Sequence, residues 1–146
     1  ASSFKTMQVR IANRQDEKAI RELAEAFSTA ENASFDLKGV DRDLVNIEAN
    51  YFGKEGLFLV VEAEGELKGF AGARAKNEET LSIERFQSSL IEAEEEMLKV
   101  IVDFAPRLLY SGIECGDRDR VRIRIRPELL ENFGFSENKK TVTPDF

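Results

Sequence analysis

Residues 80–105, TLSIERFQSSLIEAEEEMLKVIVDFA, decide the reading of the fold. Leu81 and Ile83, with Arg85 in step, fall on one side of an alternating segment, and Ser82, Glu84 and Phe86 fall on the other. That pattern predicts a short strand. Ser89-Leu90-Ile91-Glu92 matches a capping box, in which the serine oxygen and the glutamate each satisfy a backbone N–H at the helix start. Leu90, Met97, Ile101 and Phe104, flanked by Ile91, Leu98 and Ala105, supply a core stripe at helical spacing, and Pro106 ends the helix. The stretch is thus a strand feeding the longest helix of the chain almost without a loop. Unpaired N–H groups converge at such a junction, which is where many α/β folds place an anion.

Upstream, Met7 to Ala12 alternates with period two and predicts a half-buried strand. Asn13 leads into a first helix whose apolar face is Ile20, Leu23, Ala24 and Phe27. Residues 28–40 read as a loop, and Asp41 as the cap of a second helix carrying Leu44, Ile47, Tyr51 and Phe52. The continuous run Leu57 to Val61 predicts a buried strand, and Glu64-Gly65 turns it into a second one ending at Ala75. Downstream, residues 108–113 and 120–125 predict two further strands. Pro127 opens a short helix that Gly134 closes, and Phe135 and Val142 flank a final extended segment.

Composition narrows the chemistry. The 146 residues fit one domain spanning 1–146, with residues 1–6 reading as a cloning remnant ahead of Met7. A net charge of −7 argues against nucleic acid and anionic membrane as partners, and no apolar run reaches the ~20 residues of a membrane span. With Cys115 the only cysteine, no intrachain disulfide can form, and the expected location is cytoplasmic. The absence of histidine removes Ser–His and Cys–His machinery and His-ligated metal sites, and no metal site is expected. Acid–base chemistry falls to Glu, Asp, Tyr, Lys, Cys115 or water.

The order strand, two helices, three-strand meander, long helix, strand, short helix, strand resembles the GNAT (GCN5-related N-acetyltransferase) superfamily. VEAEGELKGFAGARA resembles its central hairpin, PELLENFGF its last helix ending in Gly-Phe, and VRIANRQDEKAIRELAEAF its first strand and helix. The resemblance covers nearly the whole chain and implies an α/β (α+β) fold with a mixed, mostly antiparallel central sheet flanked by helices. It also implies acetyl-CoA, bound at the strand–helix junction by a loop of pattern Gln/Arg-x-x-Gly-x-Gly/Ala, with Phe86, Gln87, Ser88 and Ser89 the residues at that place. The chain departs from the pattern. Aligning the helix ends puts Ser89, Glu92 and Glu94 on the Gln/Arg, Gly and Gly/Ala positions, and starting at Gln87 instead puts Leu90 and Glu92 on the small ones. Glu92, Glu94, Glu95 and Glu96 favour the positive end of the helix dipole but repel a pyrophosphate there.

Relatives of this kind often carry a tyrosine in the last helix to protonate the departing thiolate; here the position is Leu130. Tyr110 is the substitute, unless its ring simply packs with the hydroxyl at an edge. Glu84 is the carboxylate in the place of the family's general base, unless it pairs with a cross-strand Arg or Lys. Arg118, Arg120, Arg122, Arg124 and Arg126 occupy every second position of RDRVRIRIR and share one face of a strand. They bind a small anionic ligand or an acidic protein partner, or else pair with the chain's own 28 acids. Three functions follow: an acyl-CoA-dependent transfer of acetyl to a primary amine; a diverged, non-catalytic ligand-binding or regulatory module; and one half of a homodimer. The missing glycines and tyrosine favour the second.

Overall fold

A computed structural model describes residues 7–116, 122–137 and 139–142. Strand β1 (Met7–Ile11) leads through a 3₁₀ turn to helix α1 (Glu17–Ala30), and the short helix α2 (Ile47–Asn50) lies between two further 3₁₀ turns, Arg42–Leu44 and Phe52–Lys54. Strands β2 (Leu57–Ala63), β3 (Glu66–Ala75) and β4 (Thr80–Ser88) form the meander, and helix α3 (Ile91–Arg107) follows. Strand β5 (Gly112–Cys115), helix α4 (Pro127–Asn132) and strand β6 (Lys139–Thr141) complete the chain. The described strands make one sheet in the order β1 to β6, antiparallel throughout except for the parallel pair β4–β5. This is the mixed, mostly antiparallel sheet flanked by helices that the sequence predicts.

The sheet is covered on both faces. Leu59, Val61, Ile83, Phe86, Met97, Leu98 and Ile101 belong to one buried cluster beneath α3. Ile20, Ala24, Leu44, Tyr51, Phe58, Val60 and Phe70 form the other, beneath α1 and α2. Alternate residues of β2 therefore enter different cores, which is why its sequence reads as an unbroken apolar run. The β2–β3 turn uses Glu64 at φ 56° and Gly65 at φ 78°, both left-handed, as a two-residue hairpin turn requires.

Several local expectations are corrected. The second helix is a broken run, and Asn46 caps α2 by accepting from Ala49 N at 3.0 Å. Asp41 does not cap a helix; its carboxylate accepts from Asp36 N at 2.9 Å and from Arg85. Arg85 does not share a face with Leu81 and Ile83. Gly72 pairs with Arg85 while Ala73 pairs with Ile83, so Glu84 is an extra residue and the side-chain alternation inverts there. The bulge turns Phe86 into the α3 core and Arg85 toward the 3₁₀ turn Arg42–Leu44.

Pro106 lies inside the last turn of α3, one residue short of the helix end. Strand β5 begins later than predicted because Leu109 adopts φ 66° and Tyr110 N returns to Ala105 O at 3.1 Å. Those bonds close the end of α3 before extended structure can start. Among the described residues 122–125 there is a single bridge, Ile123 to Phe86, rather than a strand. The short helix ends as predicted: Gly134 sits at φ 83° and Phe135 N bonds Leu130 O at 2.9 Å.

Candidate functional site

The β4–α3 junction is built from residues that satisfy one another. Ser88 Oγ accepts from Leu90 N at 3.0 Å and donates to Leu90 O at 2.9 Å. Ser89 donates twice to Lys68 O, from its backbone N at 2.8 Å and its hydroxyl at 3.0 Å. The predicted capping box is therefore not formed. The residue before α3 is Leu90, which makes no side-chain cap, because β3 has claimed Ser89. Phe86 is fully buried and Gln87 nearly so. Glu92 is exposed on the first turn of α3, whereas Glu94 is buried and accepts from Arg126 Nε at 2.9 Å.

Segment 122–126 lies along this junction. Phe86 N donates to Arg122 O at 2.8 Å and Arg124 N donates to Phe86 O at 2.7 Å, so the free edge of β4 beyond its pairing with β5 is filled by the chain itself. Ile123 and Ile125 are buried while Arg124 and Arg126 are exposed and Arg122 is half-buried, which keeps the alternation read from the sequence even though only one bridge forms. Arg124 grips Glu31 at the end of α1 with contacts of 2.8 and 3.0 Å, and Arg126 grips Glu94. Arg122 donates to Val40 O at 2.7 Å and approaches Glu84 at 3.5 Å. The described part of the arginine ladder thus pairs largely with the chain's own groups. Arg118 and Arg120 lie outside the described residues.

Glu84 stands at the bulge with its side chain about one-fifth exposed. One oxygen accepts from Ser82 Oγ at 2.6 Å, and the other faces Arg122 at 3.5 Å and the cross-strand Arg74 at 3.9 Å. Gly116 packs so closely that a Cβ there would come within 2.9 Å of Glu84 Oε2. Tyr110 belongs to a different neighbourhood. It precedes β5, whose first residue pairs with Thr80 at the start of β4, while the junction lies at the end of β4. Eight residues of strand separate those ends, about 25 Å. The Tyr110 hydroxyl donates to Glu55 O at 2.8 Å, and burial, then the charge of Glu55, push its pKa up. Glu84 stands four residues along β4 from its Thr80 end, about 13 Å of strand, so it and Tyr110 are not brought together, and the Tyr110 proton is already committed to a carbonyl.

Sequence reading missed the most buried charges. Arg85 is 2% exposed and donates to Asp43 through Nε at 2.9 Å and Nη2 at 2.7 Å, and to Asp41 at 2.9 Å. Tyr51 donates to the same Asp43 at 2.5 Å. Burial alone would raise the pKa of Asp43, but its bonds and charge contacts with Arg85, then Tyr51 and Arg122, hold it below the usual carboxylate value. An arginine amid the apolar residues of a central strand is itself the signal, since a buried charge must be paired. The aspartates that answer it are 42 and 44 residues away, and no local pattern selects them.

No family model and no curated protein matches the chain. Solved structures do. A GNAT-family acetyltransferase from Staphylococcus aureus Mu50 superposes with a TM-score of 0.69 at 19% identity, over 78% of this chain and 75% of that one. A putative acetyltransferase from Salmonella typhimurium, solved with acetyl-CoA, gives 0.67 at 18%, over 89% and 79%. A GNAT-family acetyltransferase from Brucella melitensis in complex with acetyl-CoA gives 0.62 at 20%, over 97% and 91%. The likeness is one of fold: the chain has the fold of the GNAT acetyltransferases. Among the described residues no helix is long and apolar enough to cross a membrane.

Proposed function

We propose that the chain is a diverged, non-catalytic member of the GNAT superfamily, a ligand-binding or regulatory module rather than an acetyltransferase. One observation carries the reading: segment 122–126 occupies the β4 edge at the junction through the two Phe86 bonds and is fastened to the first turn of α3 by Arg126 and Glu94. Acetyl-CoA does not fit the residues there. Glu92 brings an exposed carboxylate toward the place a pyrophosphate would take, and the buried Glu94 of the same turn is spent on Arg126. Phe86, Gln87, Ser88 and Ser89 are spent on the core and on bonds within the chain.

The acid–base residues support the same reading. Glu84 is bonded to Ser82 and faces two arginines, and the Tyr110 hydroxyl serves Glu55 O. Incubation with radiolabelled acetyl-CoA and a panel of primary amines is expected to yield no acetylated product above that of Glu84→Gln. Product that depends on Glu84 would establish the alternative, an acyl-CoA-dependent N-acetyltransferase.

A further inference from the structure

We propose that the cleft between the 3₁₀ turn Arg42–Leu44, the end of β3 and Arg122 binds a small multivalent anion, a compact molecule carrying two or more carboxylate or phosphate charges. The cleft has a volume of about 740 Å³, within the range of small-molecule sites. Arg42, Lys54, Arg74 and Arg122 line it, and Asp43 is the one acid among its lining residues. In a chain of net charge −7 this is a local inversion of sign. Asp43 does not neutralise it, because that carboxylate is turned inward onto Arg85 and Tyr51.

The four cations are incompletely matched by the protein. Arg42 and Lys54 are exposed and make no side-chain hydrogen bond or ion pair with the described residues. Arg74 donates to Asn50 O at 3.3 Å, lies with its guanidinium 5.4 Å from the Tyr51 ring centre, and has as its charge partner only Glu84 at 3.9 Å, which it shares with Arg122. Arg122 donates to Val40 O, but its buried Nε has no hydrogen-bond partner, an unfavourable state in a protein interior. Glu84, behind the wall, answers part of Arg74 and Arg122 and leaves Arg42 and Lys54 unanswered. A single negative charge would leave an excess of positive charge, whereas a multivalent anion would balance it. Arginine forks suit carboxylate and phosphate oxygens equally, so the shared chemistry is the charged oxygen cluster. This inference deepens the ligand-binding reading and rests on it, but does not depend on closure of the β4–α3 junction.

The test is calorimetric titration of the full chain at low ionic strength with citrate, tripolyphosphate and acetate. Citrate, tripolyphosphate or both are expected to bind, and acetate is not; the responding probe distinguishes a carboxylate from a phosphate ligand. The variant Arg42→Ala/Lys54→Ala removes two exposed side chains with no partners to strand and is expected to lose about tenfold or more in affinity, roughly 1.4 kcal/mol. Arg124→Ala, whose charge serves Glu31 outside the cleft, is expected to bind as the parent does. No binding of either multivalent probe, equal binding of acetate, or equal loss in both variants would overturn the proposal. Acetyl-CoA is itself a polyanion, so it is titrated separately: retention of its binding by Arg42→Ala/Lys54→Ala would count against the closed junction and leave the cleft result standing.

Discussion

Replacing Arg85 by methionine is expected to cost about 3–5 kcal/mol of folding stability, the range for breaking a buried ion pair from one side. The substitution preserves much of the side chain's length and removes the charge that holds Asp41 and Asp43, which are 4% and 5% exposed. Two carboxylates would then be buried close together without a cation, and each would have to draw in water or take up a proton. Against a typical total of about 5–15 kcal/mol, such a loss moves the urea midpoint by molar amounts. Asp41→Asn and Asp43→Asn added to Arg85→Met are expected to restore part of the stability, since amides tolerate burial better than carboxylates. Urea unfolding of the parent, Arg85→Met and Arg85→Met/Asp41→Asn/Asp43→Asn checks this. A loss below about 1 kcal/mol in Arg85→Met would show the network to be dispensable.

Removing the Tyr51 hydroxyl as Tyr51→Phe is expected to cost about 1.5–3 kcal/mol, the range for a hydrogen bond to a charged group. Its pH signature separates it from a simple packing loss. Burial, followed by the charge of Asp43, raises the Tyr51 pKa well above 10.0, so the folded state favours the neutral phenol. That contribution is complete below pH 10 and is lost as pH rises from there toward the folded value. Tyr51→Phe should therefore flatten the alkaline fall in stability above pH 10. The acid side has the opposite sign: the depressed Asp43 pKa gives stability that is present above about pH 3.8 and lost as pH falls below it. Asp16, lowered chiefly by its bond from Arg10, adds to the same limb. Chemical unfolding from pH 2 to 11 tests both limbs, and an unchanged alkaline slope in Tyr51→Phe would remove this role.

The legible part of the fold was what short-range patterns can carry. The apolar run of β2, the Glu64-Gly65 turn and the Gly134 helix stop each depend on neighbours within a few residues and lie where they were read; the α3 stripe holds at Met97, Leu98, Ile101 and Ala105, whereas Ile91 is exposed and Leu90 precedes the helix. The errors share a different cause. Ser89 looked like a cap because Lys68, twenty-one residues earlier, was not visible as a competing acceptor. Arg85 was placed on the wrong face because a bulge at Glu84 depends on the register of β3, which alternation in β4 alone does not encode. Asp41 reads as a helix cap because its partner, Arg85 on β4, is 44 residues away.

The candidate site divides the same way. Acids at the start of α3 and the missing glycines were evident in the sequence, and they already opposed a pyrophosphate. The alternating arginines were evident as well. Their use was not, because Glu31, Glu84 and Glu94 reach them from three separate elements. The self-pairing of Phe86 with segment 122–124 is a tertiary event without a local signature. The basic cleft is likewise assembled from four distant stretches, and its residues draw attention only once Asp43 is known to face inward.

Thermal unfolding with and without acetyl-CoA at about 1 mM tests the central claim, a closed β4–α3 junction, most directly, using Arg42→Ala/Lys54→Ala to set the basic cleft aside. The expected result is an unchanged Tm. A ligand present at about 100 times its Kd would add ~2.7 kcal/mol and raise the Tm by several degrees. Such a rise in this variant would contradict the closed junction and return the chain to the acyl-CoA-binding members of its fold.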